Sequence, residues 1–461
     1  MRTYTRFYAS FAFCTPAFIG GPDPVHAALD AKAIKSALRY WWRVLHANAI
    51  CVPDAANQTQ AAQALRDLHQ RECALFGGSA EQGGQGHLQV VLHTQHDEAQ
   101  QTSKQEPWER GLSGKYGLQY LLGMGLYSSK TKALLRQPLV ASGFTIECIL
   151  FPRGARPLPE LRREVELTLH AFGLLGGLGS RSSRGFGSVR LCRIFDDPEQ
   201  HEQTPLFFSN HAEYLSRLQA LWRELPLSNC FPLLPAFSQH SRMRLLHGAI
   251  RVPEACDSNR LPRENHWRNL KYANLPELHN QLGMQLQLFR GWGRSKFIRD
   301  KSKNLHVLPD GQIAEQRFTE DHELIKYLQG QARTYRPEQR QALQRAVFGL
   351  PAGFGQGMEM NLLQRSHAGE QAENANATRR ASPLHLHLVQ LGDKDSECCA
   401  LLYTLPSQFA PPQALYQVGK TFKRGQKAGP GVRRVEARDY APDWDILDQF
   451  LQRFPDANQI A

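Results

Sequence analysis

Residues 173–190 hold the densest set of groups that could do chemistry, six glycines and three arginines in one short run. Gly177, Gly179, Gly185 and Gly187 permit positive φ and close approach of the backbone to a bulky ligand. Arg181 and Arg184 lie among them. Backbone N–H groups and guanidinium forks suit phosphate oxygens. The run lacks the Gly-Lys-Ser/Thr ending of a mononucleotide-binding loop. Its expected guest is therefore a polyphosphate backbone, with both arginines on phosphates. The competing reading is a tight helix-to-strand turn whose arginines are merely solvated.

Three more stretches carry cations. Residues 290–303 hold six basic residues against Asp300, among them Arg294, Lys296, Arg299, Lys301 and Lys303, with Trp292 and Phe297 interleaved. Residues 420–434 hold six and no acid, with Lys423 and Arg424 adjacent. Aromatics among cations can stack on bases while the charges hold phosphates; exposed Gly/Ser-rich loops also have this composition. In residues 31–46, Lys35, Arg39 and Arg43 recur every four residues with Trp42 beside them. Cations so aligned repel by a few tenths of a kcal/mol per pair, which suits either solvent or an anion lying along that face. On the RNA-contact reading, Arg39→Ala and Arg43→Ala leave melting nearly unchanged.

Histidine can move protons near a scissile phosphate. His26 precedes the basic helix and His46 ends it, but no second acid or base accompanies either at a telling spacing. His385 and His387 share one strand face, too few for a zinc site. The nine cysteines show no Cys-x-x-Cys pair, and their irregular spacing fits reduced thiols in a cytosolic protein. No metal and no cofactor is expected.

The elements that must place these groups follow from periodicity. Residues 4–14, 88–94, 144–151 and 187–195 read as strands, and 31–47 and 158–175 as helices, the second opened by prolines and ended at Gly176. The order is β-α-β-β-α-β, the split βαβ pattern of the ferredoxin-like fold. A connecting segment, 196–235, carries a short helix at 211–225. The pattern then recurs, with strands at 241–250, 284–290, 384–391 and 399–405 and helices at 321–328 and 337–346. Residues 351–382 read as an insertion with little order, and 442–454 as a terminal helix. The expectation is an α+β chain of two tandem ferredoxin-like domains with insertions, 1–195 and 236–461.

A chain of 461 residues suits two or three domains. Its 55 Lys and Arg against 43 Asp and Glu give a net charge of +12, which favours an anionic partner, nucleic acid first. No apolar run approaches the roughly 20 residues that span a bilayer, so a soluble, cytoplasmic protein without a membrane partner is expected.

Four motifs in the first half carry a family resemblance: Phe13 to Gly21, Ile34 to Arg43, Leu75-Phe-Gly77, and Gly177 to Ser188. Together they resemble RAMP proteins, more specifically the first subunit of the Cmr complex, the type III-B CRISPR effector. One departure is Ser36, where the family usually has glycine. The resemblance implies two RRM-related ferredoxin-like domains, assembly with other RAMP-type subunits, and contact with the 3′ region of the guide RNA and with target RNA in antiviral defence. It transfers no catalytic residue. The expected role is a non-catalytic RNA-binding subunit; the alternative is a metal-independent endoribonuclease that processes guide RNA.

Overall fold

In Thr5–Phe13 (β1), alternating Phe7, Ala9 and Phe11 are buried, which makes this strand a natural centre for a sheet. The computed structural model describes residues 4–21, 27–50, 58–79, 81, 84–96, 112–123, 125–139, 142–200, 202–254, 267–297, 304–309, 311–328, 344–350, 352–353, 358–364, 376–378, 380–392, 397–408, 415–420, 435–438 and 443–461.

The first half continues with helices Ala31–His46 (α1) and Gln58–Phe76 (α2), strand Leu88–His96 (β2), and the short helix Tyr116–Leu122 (α3). Strand Gly143–Leu150 (β3), helix Leu158–Leu175 (α4) and strand Val189–Phe195 (β4) complete it. The sheet order is β2-β3-β1-β4, every pair antiparallel. α1 starts where the Asp30 carboxylate accepts the Ala33 N–H at 2.6 Å, a side-chain N-cap. It buries Ile34, Leu38, Trp41 and Leu45, the stripe that helical spacing predicts. α4 opens after Pro157 and closes at Gly176, whose N–H bonds Phe172 O at 2.8 Å.

After helix His211–Glu224 (α5), the second half has strand Met243–His247 (β5), helix Leu275–Arg290 (α6) and helix Thr319–Leu328 (α7). Strands Leu384–Gln390 (β6) and Cys398–Thr404 (β7), helix Asp445–Leu451 (α8) and the short strand Asn458–Gln459 (β8) follow. The second sheet runs β6-β7-β5-β8, again antiparallel. Counted within each half, strands lie in the order second, third, first, fourth in both sheets.

Three sequence expectations are corrected here. Residues 284–290 are not a strand but the last two turns of α6. The insertion at 351–382 is not without order: Ala352–Gly353, Met358–Gln364 and Asn376–Thr378 are strands, the second paired with Leu415–Lys420. Cys230 is disulfide-bonded, whereas the other six described cysteines are free thiols. Among the described residues, no helix is long and apolar enough to cross a membrane.

The halves share their interior. On β7, Leu401 and Tyr403 face a core that includes Phe7, Trp41 and Phe172, while Ala400 and Leu402 face a second core with α6 and α8. The Tyr403 hydroxyl donates to Leu175 O at 2.8 Å. α3 crosses α6 so closely that a Cβ on Gly117 would collide with the Asn280 carbonyl, and a Cβ on Gly283 with the Gly117 carbonyl.

Candidate nucleic-acid interface

The glycine-rich run folds back on the loop that follows β1. Gly177 and Ser188 form an antiparallel bridge, and Ser180 N–H donates to Phe18 O at 2.8 Å. Gly187 N–H donates to Pro16 O at 2.8 Å, and Leu178 N–H to Gly187 O at 2.8 Å. Thr15 Oγ1 donates to Gly185 O at 2.7 Å and accepts the Ser188 N–H at 2.9 Å. Gly185 (φ 83°) is a position that favours glycine. A Cβ there would strike Leu388 of β6 and come within 2.9 Å of His279 Nε2.

This corrects the expectation for Gly177, Gly179, Gly185 and Gly187. A Cβ on Gly179 would meet Phe18 O at 2.5 Å, one on Gly177 would meet Gly187 O at 2.8 Å, and one on Gly187 would strike Leu178 O. Their open faces are filled by protein, and the loop N–H groups named above already have carbonyl or hydroxyl acceptors, so they do not offer a free row of donors to phosphate. The loop also joins the halves. Leu386 N–H donates to Ser183 O at 3.0 Å, Leu388 N–H to Ser188 Oγ at 3.2 Å, and His279 Nε2 to Arg184 O at 2.8 Å.

The two loop arginines part company. Arg181, at φ 65°, donates from Nε to Leu122 O at 3.0 Å, against the C-terminal carbonyls of α3. Arg184 lines a pocket between the halves, and its guanidinium makes no hydrogen bond or ion pair among the described residues.

The face of α1 is changed by a partner the sequence did not suggest. Arg39 Nε donates to Glu72 Oε1 at 2.6 Å and its Nη1 to Gly77 O at 3.1 Å. Arg43 Nη1 reaches both Glu72 oxygens at 3.4 Å. Glu72 comes from α2, and its side chain is only 3% exposed. Lys35 remains half-buried, its pKa lowered by burial and then by Arg39. Trp42 is corrected outright: it is fully buried, donates from Nε1 to Glu164 Oε1 at 2.7 Å and stacks on His46, so no base can reach its ring. Arg39→Ala therefore acts on stability, against the expectation above. Losing the shorter ion pair leaves the buried Glu72 carboxylate to the longer Arg43 contact, at a cost of about 1–3 kcal/mol, and the loss is expected as a lower urea midpoint, larger than for Arg43→Ala.

Of the remaining candidates, Arg294 is exposed and opens a hairpin of Arg294–Phe297 with Asn304–Val307, which includes Lys296. Arg299, Lys301, Lys303, Lys423 and Arg424 lie outside the described residues, as does His26. His46 binds Trp42 O through Nδ1 at 2.7 Å, with Nε2 3.7 Å from Glu164, and burial lowers its pKa. His385 and His387 are buried in β6, lowered by desolvation to about 4 and about 3. Among the described residues no group of three or more His, Cys, Asp or Glu is placed to hold a metal.

Sequence reasoning counted Arg290 within the basic stretch 290–303 but did not place it, or Arg345, beside Arg184. Arg290 ends α6, with its guanidinium over Phe348 at 4.6 Å. Arg345 Nη1 donates to Arg290 O at 3.2 Å. Separation along the chain hid this cluster; the signal was basic residues in excess over acids.

Residues 10–190 match the RAMP superfamily, and they span β1 through the glycine-rich loop into β4. The match covers these residues and leaves the second half of the chain outside it. No curated protein sequence matches the chain. Among solved structures, the chain is similar to apo Cmr1 from Pyrococcus furiosus, with 12% identity, TM-score 0.47 and coverage of 99% of this chain and 98% of that one. It is also similar to a chain in the cryo-EM structure of Type III-B Cmr-beta bound to cognate target RNA, with 12% identity, TM-score 0.38 and coverage of 87% and 94%. Within the matched residues, the glycine-rich loop packs against the second half, and its Ser183 and Arg184 line the pocket there.

Proposed function

We propose that the chain is a non-catalytic RNA-binding subunit of a type III-B CRISPR ribonucleoprotein, contacting the 3′ region of the guide RNA, the target RNA, or both. The observation that carries this reading is the RAMP match over residues 10–190. The motif set that resembles the first Cmr subunit and the net charge of +12 support it. On this reading the halves, 1–195 and 236–461 about a connector at 196–235, are ferredoxin-like domains in tandem. The strand order common to both sheets supports that assignment. Other RAMP-type subunits are the protein partners, in the cytoplasm.

The RNA contacts proposed are Arg184, Arg294 and Lys296, with Arg299, Lys301, Lys303, Lys423 and Arg424 of the basic stretches; Arg39 and Arg43 keep a lesser role because Glu72 already neutralises part of their face. His46 is held by Trp42 and Glu164, which speaks against its use as the base of a ribonuclease.

Salt tests this reading. Affinity for single-stranded RNA is expected to fall linearly on a log–log plot, with a slope of about −0.7 for each phosphate neutralised. A flat profile between low and moderate salt removes phosphate-led binding.

A further inference from the structure

The pocket that Arg184 lines is bounded by both halves. Its walls are apolar, with Leu121 from α3, Leu286 from α6, Phe348 and Leu386, and Ser183 and Ser382 also line it. Two arginines line it, Arg184 from the glycine-rich loop and Arg290 from the C-terminal end of α6. Arg290 Nε is buried without a hydrogen-bond partner among the described residues. Arg184 has no ion pair among the described residues, and burial together with Arg290 lowers its guanidinium to about 10. Arg345 adds a third positive charge beside Arg290. The acid that faces Arg345, Asp321, already receives the Gln344 and Arg345 backbone N–H groups at 3.0 Å each.

Like charges drawn into an apolar seam destabilise the fold unless something compensates them. No described side chain does so for Arg184. The free volume is about 20 Å³, enough for a group the size of a water molecule or a few phosphoryl oxygens, and far too small for a nucleobase. Guanidinium forks match phosphoryl oxygens in geometry as well as charge.

We propose that this pocket is a phosphoryl-binding site, in which Arg184 and Arg290 grip one phosphate group and thereby tie the two halves together. The site deepens the RNA-binding reading, on which the phosphoryl group belongs to an RNA chain; free phosphate has the same chemistry and is separated by experiment.

The test uses the full chain, with inorganic phosphate as probe and chloride at matched ionic strength as control. Phosphate at tenfold excess over its dissociation constant is expected to raise the melting temperature by about 1.5 °C. Arg184→Gln and Arg290→Gln should each abolish the rise. Arg184→Gln leaves the loop's backbone bonds in place, so a folded variant is available even if Arg290→Gln loosens α6. Absence of a phosphate-specific rise in the parent, or its persistence in both variants, overturns the site. RNA binding on the same samples separates the two readings: normal RNA affinity without a phosphate response refutes the pocket and leaves RNA binding intact. Where phosphate does bind, competition with an RNA oligomer assigns the group to RNA, and absence of competition assigns the site to a free phosphoryl ligand.

Discussion

Trp42→Ala is expected to lower stability by about 3–5 kcal/mol, the cost of emptying a core aromatic position. Trp42 is fully buried on α1, where it packs edge-on to Phe76 with Arg71 over its ring. The loss extends beyond the cavity. Trp42 Nε1 satisfies Glu164, which also receives Arg156 Nη2 at 2.5 Å and lies near His46. Burial alone would raise the Glu164 carboxyl, yet the bonds from Trp42 and Arg156 hold it below the usual range. Removing the indole therefore also weakens a carboxylate that ties α1 to α4. Urea unfolding measures the loss, and RNA affinity per folded molecule should stay at the parental value. Reduced affinity with unchanged stability would place the ring at the RNA surface instead.

Gly185→Val is expected to cost roughly 3 kcal/mol or more, through two additive insults. Overpacking of a filled site costs about 1–3 kcal/mol, and a β-branched residue at φ 83° adds backbone strain. The new side chain would press on Leu388 and His279, which belong to the second half. The damage should thus appear as separation of the halves, read by hydrogen exchange at Leu386 and Leu388, whose N–H groups bond the loop. Protection unchanged at these two amides, in a variant as stable as the parent, would show that the seam does not depend on this glycine.

Periodicity made much of the first half legible. α4 spans residues 158–175 as read from its prolines and its terminal glycine, and the stripe of α1 is buried as its spacing predicts. α6 was missed for a physical reason. It buries His279, Gly283, Gln285 and Leu288 as well as Leu278, Leu282 and Phe289, so residues on all its faces are inside and the 3.6-residue period vanishes. Its last residues, Met-Gln-Leu-Gln-Leu-Phe, alternate locally as a strand would. The charges of the site were legible as types, but their pairing was not. Glu72 lies 33 positions from Arg39, and Arg290 more than a hundred from Arg184; only folding brings them together. The loop glycines were read as places where a ligand's phosphates come close to the backbone. What approaches them is the chain itself.

The fit of the glycine-rich loop against β6 also bears on how this chain stacks with others. β6 is the edge strand of the second sheet, and an open edge is a template for strands of other molecules. Here Ser183 O and Ser188 Oγ already take the N–H groups of Leu386 and Leu388. At that border the loop itself caps the N–H groups of Leu386 and Leu388, so lateral growth of the sheet and strand exchange with a second copy have no opening at these two residues.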